Sequence, residues 1–310
     1  MPTLLADTNL FLWVDLESAT PDETKRVLEG IFHFHPLSIE DCVTESQGPK
    51  VEEYSPKEDD RFAPYLFMVI HGVDYRRQGG VFATSELNFF LGKNFLVTYH
   101  AAPMRSITSV AEACVKGTMH VARAPDRIAH NVLDALVDNY TPALEELSLA
   151  IAEVEERVLD HPSRETLNQI LGIKKEVHHL RRIIGPQREV LSRFARGEFK
   201  LIRSHLVPYY RNVYDAINRI ADLAQGYSDS LINLLHVYLS ITANQQGEVV
   251  KLLTMITLIT TPLMMIGTWY GMNFEDMPEL KSRHGYSIAA VITGGSTLAT
   301  WLYFRYKKWF

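Results

Sequence analysis

The chain has 310 residues, of which 46% are hydrophobic and 22% charged, and its formal net charge is −6 at pH 7. This length allows two ordinary domains, or one domain with membrane spans, and excludes a small scaffold. The negative balance gives no general attraction to nucleic acid, so no nucleic-acid partner is expected. The two cysteines, Cys42 and Cys114, lack CxxC spacing and argue against a thiolate metal site.

The first part of the chain, residues 1–125, alternates short apolar stretches with Gly and Pro. Apolar runs predict strands at 65–70, 86–91 and 95–99. Helices are predicted at 21–34 and 38–42. We therefore expect an α/β domain with a mixed sheet. Since residues 1–10 have no basic patch followed by an apolar run, we expect this domain in the cytoplasm.

The second part, residues 126–245, has a helical pattern. Apolar residues recur at helical spacing from Asp126 to Leu159, which predicts one long helix that tolerates Pro142. A second helix is predicted from Ser163 to about Arg196. The two helices should form an antiparallel hairpin.

The third part, residues 246–310, contains two apolar runs. Leu252–Tyr270 and Tyr286–Phe304 each comprise 19 residues without a charged side chain, long enough to cross a bilayer. Between Pro208 and Pro262 there is no proline, so one helix can extend from the cytoplasm into the membrane. The predicted fold is an α+β membrane protein, in which a cytoplasmic α/β domain, a helical hairpin and a stalk helix precede two C-terminal transmembrane helices.

The apolar residues of the stalk helix indicate packing against another surface. Apolar residues such as Ile217, Leu231 and Leu239 would be exposed on an isolated helix. We therefore expect the stalk to pack against the hairpin or against copies of itself, as in a homo-oligomer.

A basic and aromatic tail follows the second apolar run. Arg305, Lys307 and Lys308 lie next to Trp301 and Tyr306, a combination that favours the cytoplasmic face of a membrane. We therefore expect a multi-pass protein of the cell (inner) membrane, with the lipid bilayer as a partner and both termini in the cytoplasm.

The segment between the two runs reads Tyr270-Gly-Met-Asn-Phe-Glu-Asp-Met-Pro-Glu-Leu280. It resembles the CorA family of magnesium (Mg²⁺/Co²⁺) transport proteins, whose signature is Gly-Met-Asn at the outer end of the first span, followed by an acidic Met-Pro-Glu-Leu loop. Fainter similarity covers most of the chain, including His35–Asp41 and Tyr209–Asp215. The resemblance implies a funnel-shaped homopentamer whose five first spans line a pore.

The outer turn suggests how a cation is selected. Mg²⁺ holds its hydration shell tightly, and the first span contains no acidic side chain. Backbone carbonyls of Gly271 and Met272 and the amide of Asn273 can contact the hydrated ion as a selectivity filter. The outer loop supplies three carboxylates that would attract cations to the mouth: Glu275, Asp276 and Glu279.

The first span carries a threonine stripe. At 100° per residue, one 80° sector contains Val250, Thr254, Thr257, Thr261, Met264 and Thr268. The pore-lining positions that the resemblance implies agree largely with this stripe: Val250, Leu253, Thr257, Thr261, Met264 and Thr268, together with Asn273. The alternative for each threonine is a hydrogen bond to its own helical turn.

The resemblance also implies gating by cytoplasmic Mg²⁺, bound by carboxylates between subunits. The candidate positions are Asp74, Asn212 and Asp215. Asn212 replaces the family's principal acidic ligand, so the feedback is expected to be weaker or to use other residues. His236 and Gly247 also depart from the family's pattern at an acidic stalk position and at an inner pore asparagine.

Three functional alternatives follow. The first is influx of Mg²⁺, with Co²⁺ or Ni²⁺ also admitted, driven by the membrane potential. The second is a Zn²⁺ transporter of the same architecture, since related zinc transporters share the Gly-x-Asn turn. The third is a membrane-anchored ligand sensor. The sequence shows no nucleophile elbow, phosphate loop or dinucleotide fingerprint, so no enzyme activity and no organic cofactor are expected.

Overall fold

The computed structural model describes residues 10–44, 48–56, 61–78, 81–116, 124–272, 278 and 282–307, and at 74–78 and 81–83 it describes the backbone. The chain divides into two compact units, Met1–Leu235 and His236–Phe310. The first unit contains the sheet and most of the helices.

Five strands in the described part of the chain form one mixed sheet; the mixed sheet and the strands at 65–70, 86–91 and 95–99 agree with the prediction, whereas the strand at 50–54 was not predicted. The five strands are β1 (Leu12–Glu17), β2 (Lys50–Tyr54), β3 (Tyr65–Gln78), β4 (Val81–Gly92) and β5 (Phe95–His100). The spatial order is β1-β5-β4-β3-β2. Strand β1 pairs in parallel with β5, so Asp15 lies opposite Thr98 and Glu17 opposite His100. The other neighbours are antiparallel.

The described helices keep the predicted order and include one, at 105–115, that the sequence did not predict. They are α1 (Pro21–Leu28), α2 (Pro36–Val43), α3 (Arg105–Val115), α4 (Pro125–Asp138), α5 (Tyr140–Asp160), α6 (Arg164–Ala195), α7 (Val207–Tyr270) and α8 (Gly285–Tyr306). Helix α1 ends six residues before the predicted Phe34. A turn with His33 at φ 55° follows it, and this turn places Phe32 and Phe34 side by side with ring centroids 5.2 Å apart.

The prediction of one helix from Asp126 to Leu159 is wrong. Two helices occupy this range, and Asn139 separates them. Pro142 explains the break, because it has no N–H to donate to the carbonyl of Asp138 and its ring crowds that carbonyl. In α5 the same proline lies in the first turn, where an N–H would have no helical partner.

One face of the sheet packs against α1 and α2. Its core is aromatic: the ring of Phe34 stacks on that of Phe90 at 4.3 Å between centroids and lies 4.6 Å from that of Tyr65. The Tyr65 hydroxyl is within 2.7 Å of Ser38 Oγ in α2. This buried pair fixes the position of α2 on the sheet.

Helices α4, α5 and α6 cover the other face of the sheet. The Tyr140 hydroxyl of α5 donates to the His71 carbonyl of β3 at 2.7 Å, and the His71 N–H donates to Gln187 Oε1 of α6 at 3.2 Å. Tyr140 and Gln187 are fully buried. The result is a three-layer α/β/α arrangement.

An ion pair ties the start of α4 to the segment before α7. The Asp126 carboxylate is 5% exposed and accepts from Arg203 Nε and Nη2, both at 2.8 Å. The Tyr210 hydroxyl donates to the Asp126 carbonyl at 2.8 Å. Bidentate guanidinium–carboxylate geometry gives this contact a fixed orientation.

The hairpin and the stalk have the predicted form. Helices α5 and α6 pack against each other across the short link 161–163, and Arg157 of α5 donates to Gln169 of α6 at 3.0 Å. On α7, Ile217 and Leu231 are fully buried within the chain, and Arg181 of α6 donates to Ser228 of α7 at 3.1 Å. Leu239, farther along α7, is 53% exposed, so the part of the stalk up to Leu231 packs within the chain, and self-association stays a prediction.

Candidate functional site

Within the residues that the structure describes, two helices are long and apolar enough to cross a membrane. The first is Ser204–Tyr270, which includes a turn before α7, and its most apolar segment has a mean hydropathy of 1.9. The second is Gly285–Tyr306, whose most apolar segment has a mean hydropathy of 1.2. Only 6% of each segment is buried within the chain. Helices with so little apolar burial need another apolar surface, such as lipid or further subunits.

The predicted pore-lining residues all lie on α7, as part of one regular helix. Val250 is 62% exposed, Leu253 63% and Met264 68%, and Thr257, Thr261 and Thr268 are exposed as well. Met255, off this sector, is buried. The stripe is therefore not used for packing within the chain. Toward the end of α7, Thr261, Met264 and Thr268 line a shallow groove.

Three threonine hydroxyls of the stripe bond back to their own helical turn, which is the alternative that the sequence left open for each of them. Thr254 donates to the carbonyl of Val250 at 2.8 Å, Thr257 to that of Leu253 at 2.9 Å, and Thr261 to that of Thr257 at 2.7 Å. Each of these hydroxyl protons is therefore directed at a backbone carbonyl of the preceding turn. The oxygen lone pairs remain available as acceptors on the exposed side of the helix. The stripe presents neutral acceptors.

The outer turn begins where α7 ends. The Gly271 N–H donates to the carbonyl of Gly267 at 3.0 Å, and the Met272 N–H to that of Trp269 at 3.3 Å. A Cβ on Gly271 would lie 3.1 Å from the Gly267 oxygen, so a larger residue would disturb this helix end. The remaining predicted filter and mouth residues lie outside the described residues: Asn273, Glu275, Asp276 and Glu279.

A family model described as CorA-like Mg²⁺ transporter protein matches residues 9–308. The cobalt/magnesium transport protein CorA of Thermotoga maritima is 33% identical over 305 residues, which cover 98% of this chain and 84% of that protein. This chain belongs to the CorA family.

Solved structures share the fold of this CorA-family chain. The complete structure of the CorA magnesium transporter from Methanocaldococcus jannaschii has a TM-score of 0.81 at 19% identity, covering 97% of this chain and 92% of that one. The ZntB cytoplasmic domain from Vibrio parahaemolyticus has a TM-score of 0.60 at 17% identity, covering 76% and 88%. At these identities the likeness shows the fold alone.

The candidate regulatory residues of this CorA-family chain lie on two elements. Asn212 and Asp215 are both exposed on α7. The backbone of Asp74 lies in β3 opposite Ala83, next to an irregularity in the β3–β4 register. Its side chain lies outside the described part of the chain, so these residues stay a prediction.

One group of side chains in the described part of this CorA-family chain has the composition of a metal site. Ligand atoms of Asp15, Glu17 and His100 lie within 4.8 Å of one another. However, His100 Nε2 already lies 3.1 Å from Asp15 Oδ1, while Nδ1 lies 2.7 Å from the Ala102 carbonyl oxygen. Thr98 also donates to Asp15, at 2.6 Å. We interpret the group as an ion pair that joins the parallel strands β1 and β5.

Burial of the His100 ring opposes its protonation, but its bonds to Asp15 and Ala102 and the charges of Asp15 and Glu17 outweigh burial and raise its pKa above the ordinary value of 6.5. Because the folded pKa is the higher one, the ion pair stabilises the fold fully below pH 6.5, and this stability is lost as the pH rises through the folded pKa. We expect the thermal unfolding midpoint of the purified protein to fall as the pH rises above 6.5. Asp15→Asn should flatten this dependence, and equal slopes for both proteins would contradict it.

The sequence pattern did not predict the His100–Asp15 pair. Another histidine, His35, caps α2 by accepting from the Leu37 N–H at 3.3 Å. A signal for the missed pair did exist: Asp15 and His100 both lie near the carboxyl ends of their strands, where parallel neighbours bring polar residues together.

Proposed function

We propose that this chain is one subunit of a cation channel that admits Mg²⁺, and also Co²⁺ or Ni²⁺, across the cell (inner) membrane into the cytoplasm. The observation that carries the proposal is the exposed stripe of threonines whose hydroxyl protons are bonded inward. Neutral oxygen acceptors suit a cation that keeps its water, because coordinated water donates hydrogen bonds outward. An inside-negative potential of 100 mV supplies roughly 4.6 kcal/mol for a double charge.

The assembly that supports this function is a homopentamer in the bilayer, with both termini in the cytoplasm. The exposed stripe of α7 would line the central pore, and the apolar sides of α7 and α8 would face lipid and neighbouring subunits. Residues 1–125 would form the cytoplasmic α/β domain, 126–245 the hairpin and stalk, and 246–310 the pore domain. Gly271, Met272 and Asn273 would form the outer filter.

Regulation by cytoplasmic Mg²⁺ is part of the proposal. Asp74, Asn212 and Asp215 would contribute to the binding site between subunits. Because Asn212 contributes no charge, the site would bind Mg²⁺ more weakly than one built on a carboxylate at this position. Weaker binding means that more cytoplasmic Mg²⁺ is needed to close the channel.

Replacing both Thr257 and Thr261 with valine tests the stripe. Valine keeps the shape and removes the oxygen, so each subunit loses two acceptors, and we expect Mg²⁺ influx into proteoliposomes to fall about tenfold, or roughly 1.4 kcal/mol in the barrier. Thr293→Val is the matched control, since Thr293 on α8 bonds back to Ala289 at 2.8 Å in the same way. Native influx through the double variant would exclude these oxygens from the path.

A sensor that is only anchored in the membrane is the competing proposal. It would give no ion influx in proteoliposomes, and its ligand response would survive the double valine change. The exposed stripe of acceptors favours the channel, because a helix that only anchors a domain in the membrane does not require oxygen atoms aligned on one side.

A further inference from the structure

A cavity of about 430 Å³ lies beside the end of α2, against β3, β4 and β5. Its lining includes Cys42, His71, Ser85, Glu86, Asn88 and Tyr99. Glu86 and Asn88 are two residues apart on β4, so both point to the face of the sheet that α2 covers. The cavity belongs to the first unit, Met1–Leu235.

Two buried oxygen atoms in this cavity lack a hydrogen-bond donor among the described residues. Asn88 is 2% exposed, and its Nδ2 donates to Glu86 Oε1 at 3.0 Å. This bond fixes the orientation of the amide, since a carboxylate can only accept. Asn88 Oδ1 and Glu86 Oε2 are then left as buried acceptors without a partner. Buried acceptors of this kind call for a donor.

The charge of the cavity indicates which kind of ligand could donate hydrogen bonds to these two acceptors. Among the described lining residues, Glu86 is the one carboxylate, there is no Lys or Arg, and His71, opposite Glu86 on β3, is the one basic side chain. Burial, followed by the charges of Glu86 and Asp41, raises the pKa of the Cys42 thiol well above its ordinary value, so Cys42 stays protonated. A protonated thiol is a poor metal ligand. The charge of the Glu86 carboxylate therefore has no Lys or Arg partner in the described lining. The two acceptors, Glu86 Oε2 and Asn88 Oδ1, have no hydrogen-bond donor there.

We propose that this cavity binds a small organic monocation of the guanidinium class, held by Glu86 and Asn88. A guanidinium group is planar and carries several N–H donors, so it can pair with the carboxylate and donate to the adjacent amide oxygen at the same time. A divalent metal ion fits less well, because its protein sites use several oxygen ligands and more than one charge. The proposal concerns a site separate from the pore and does not depend on transport.

The test is isothermal titration of the full-length protein in detergent with methylguanidinium. Tetramethylammonium serves as the matched probe, since it has the same charge and no N–H donor. We expect heat of binding from methylguanidinium alone, and at least a tenfold loss of affinity in Glu86→Gln. Glu53→Gln, at an exposed position on β2, should bind like the native chain.

Asn88→Ala keeps the charge and removes one acceptor, so it tests the site even where Glu86→Gln does not fold. We expect weaker methylguanidinium binding in Asn88→Ala, and no displacement of the probe by Mg²⁺. Equal binding of tetramethylammonium, native affinity in either cavity variant, or displacement of methylguanidinium by Mg²⁺ would each overturn the proposal.

Discussion

Replacing Asn273 with alanine is expected to lower Mg²⁺ influx by roughly 100-fold or more. A pentamer would lose five amide groups from one ring, and hydrogen bonds worth about 1 kcal/mol each together exceed the roughly 2.7 kcal/mol that a 100-fold change requires. The measurement is dye-reported influx into proteoliposomes under an inside-negative potential.

Asn218→Ala is the control for this experiment. It makes the same chemical change on the part of α7 that lies in the first unit, Met1–Leu235. We expect its influx to equal that of the native chain. If Mg²⁺ influx through Asn273→Ala equalled influx through Asn218→Ala, the selectivity filter would have to lie outside the Gly-Met-Asn turn.

Replacing Arg203 with alanine is expected to destabilise the fold by about 3 kcal/mol. The change leaves the Asp126 carboxylate, which is 5% exposed, without its bidentate partner. A buried charge that loses its partner is strongly unfavourable. The thermal unfolding midpoint of the purified protein measures the effect.

Arg157→Ala is the matched control, because it removes an arginine from an exposed ion pair with Glu153 on α5, together with an exposed hydrogen bond to Gln169. Exposed pairs of this kind contribute about 0.3 to 0.5 kcal/mol. An unfolding midpoint for Arg203→Ala as high as that for Arg157→Ala would show that water reaches Asp126 easily.

The fold could be predicted to the extent that it depends on local patterns. Runs of β-branched and aromatic residues marked β3, β4 and β5, and helical spacing marked α6 and α7. The break at Asn139 was missed, although Pro142 was noticed, because apolar spacing continues across it. The parallel pairing of β1 with β5 joins residues about 83 positions apart, and no local pattern encodes such a contact.

The threonine stripe could be recognised in the sequence for a different reason, although its role in a pore stays a prediction. The side chains of a membrane span make few contacts within their own chain. A stripe such as Thr257, Thr261 and Thr268 can therefore be identified from helical spacing alone. What the sequence left open was the direction of each hydroxyl. The back-bonded geometry changes the meaning of the stripe, from a set of donors and acceptors to a set of acceptors.

Buried polar groups were the least predictable part. Asn88 and Glu86 lie within an apolar strand, and nothing in their spacing distinguishes them from residues that face solvent. Their role depends on which helix covers them, and α2 reaches this face only through the turn at His33. Such sites become visible when the three-dimensional neighbours are known.

The central claim is that this chain conducts Mg²⁺. The most direct test is to reconstitute the native protein in liposomes that contain a magnesium-sensitive dye, impose an inside-negative potential, and repeat the assay with a zinc-sensitive dye. We expect Mg²⁺ influx that stops when the potential is removed and exceeds Zn²⁺ influx at equal concentration. Zn²⁺ influx without Mg²⁺ influx, or no influx of either ion, would contradict the account.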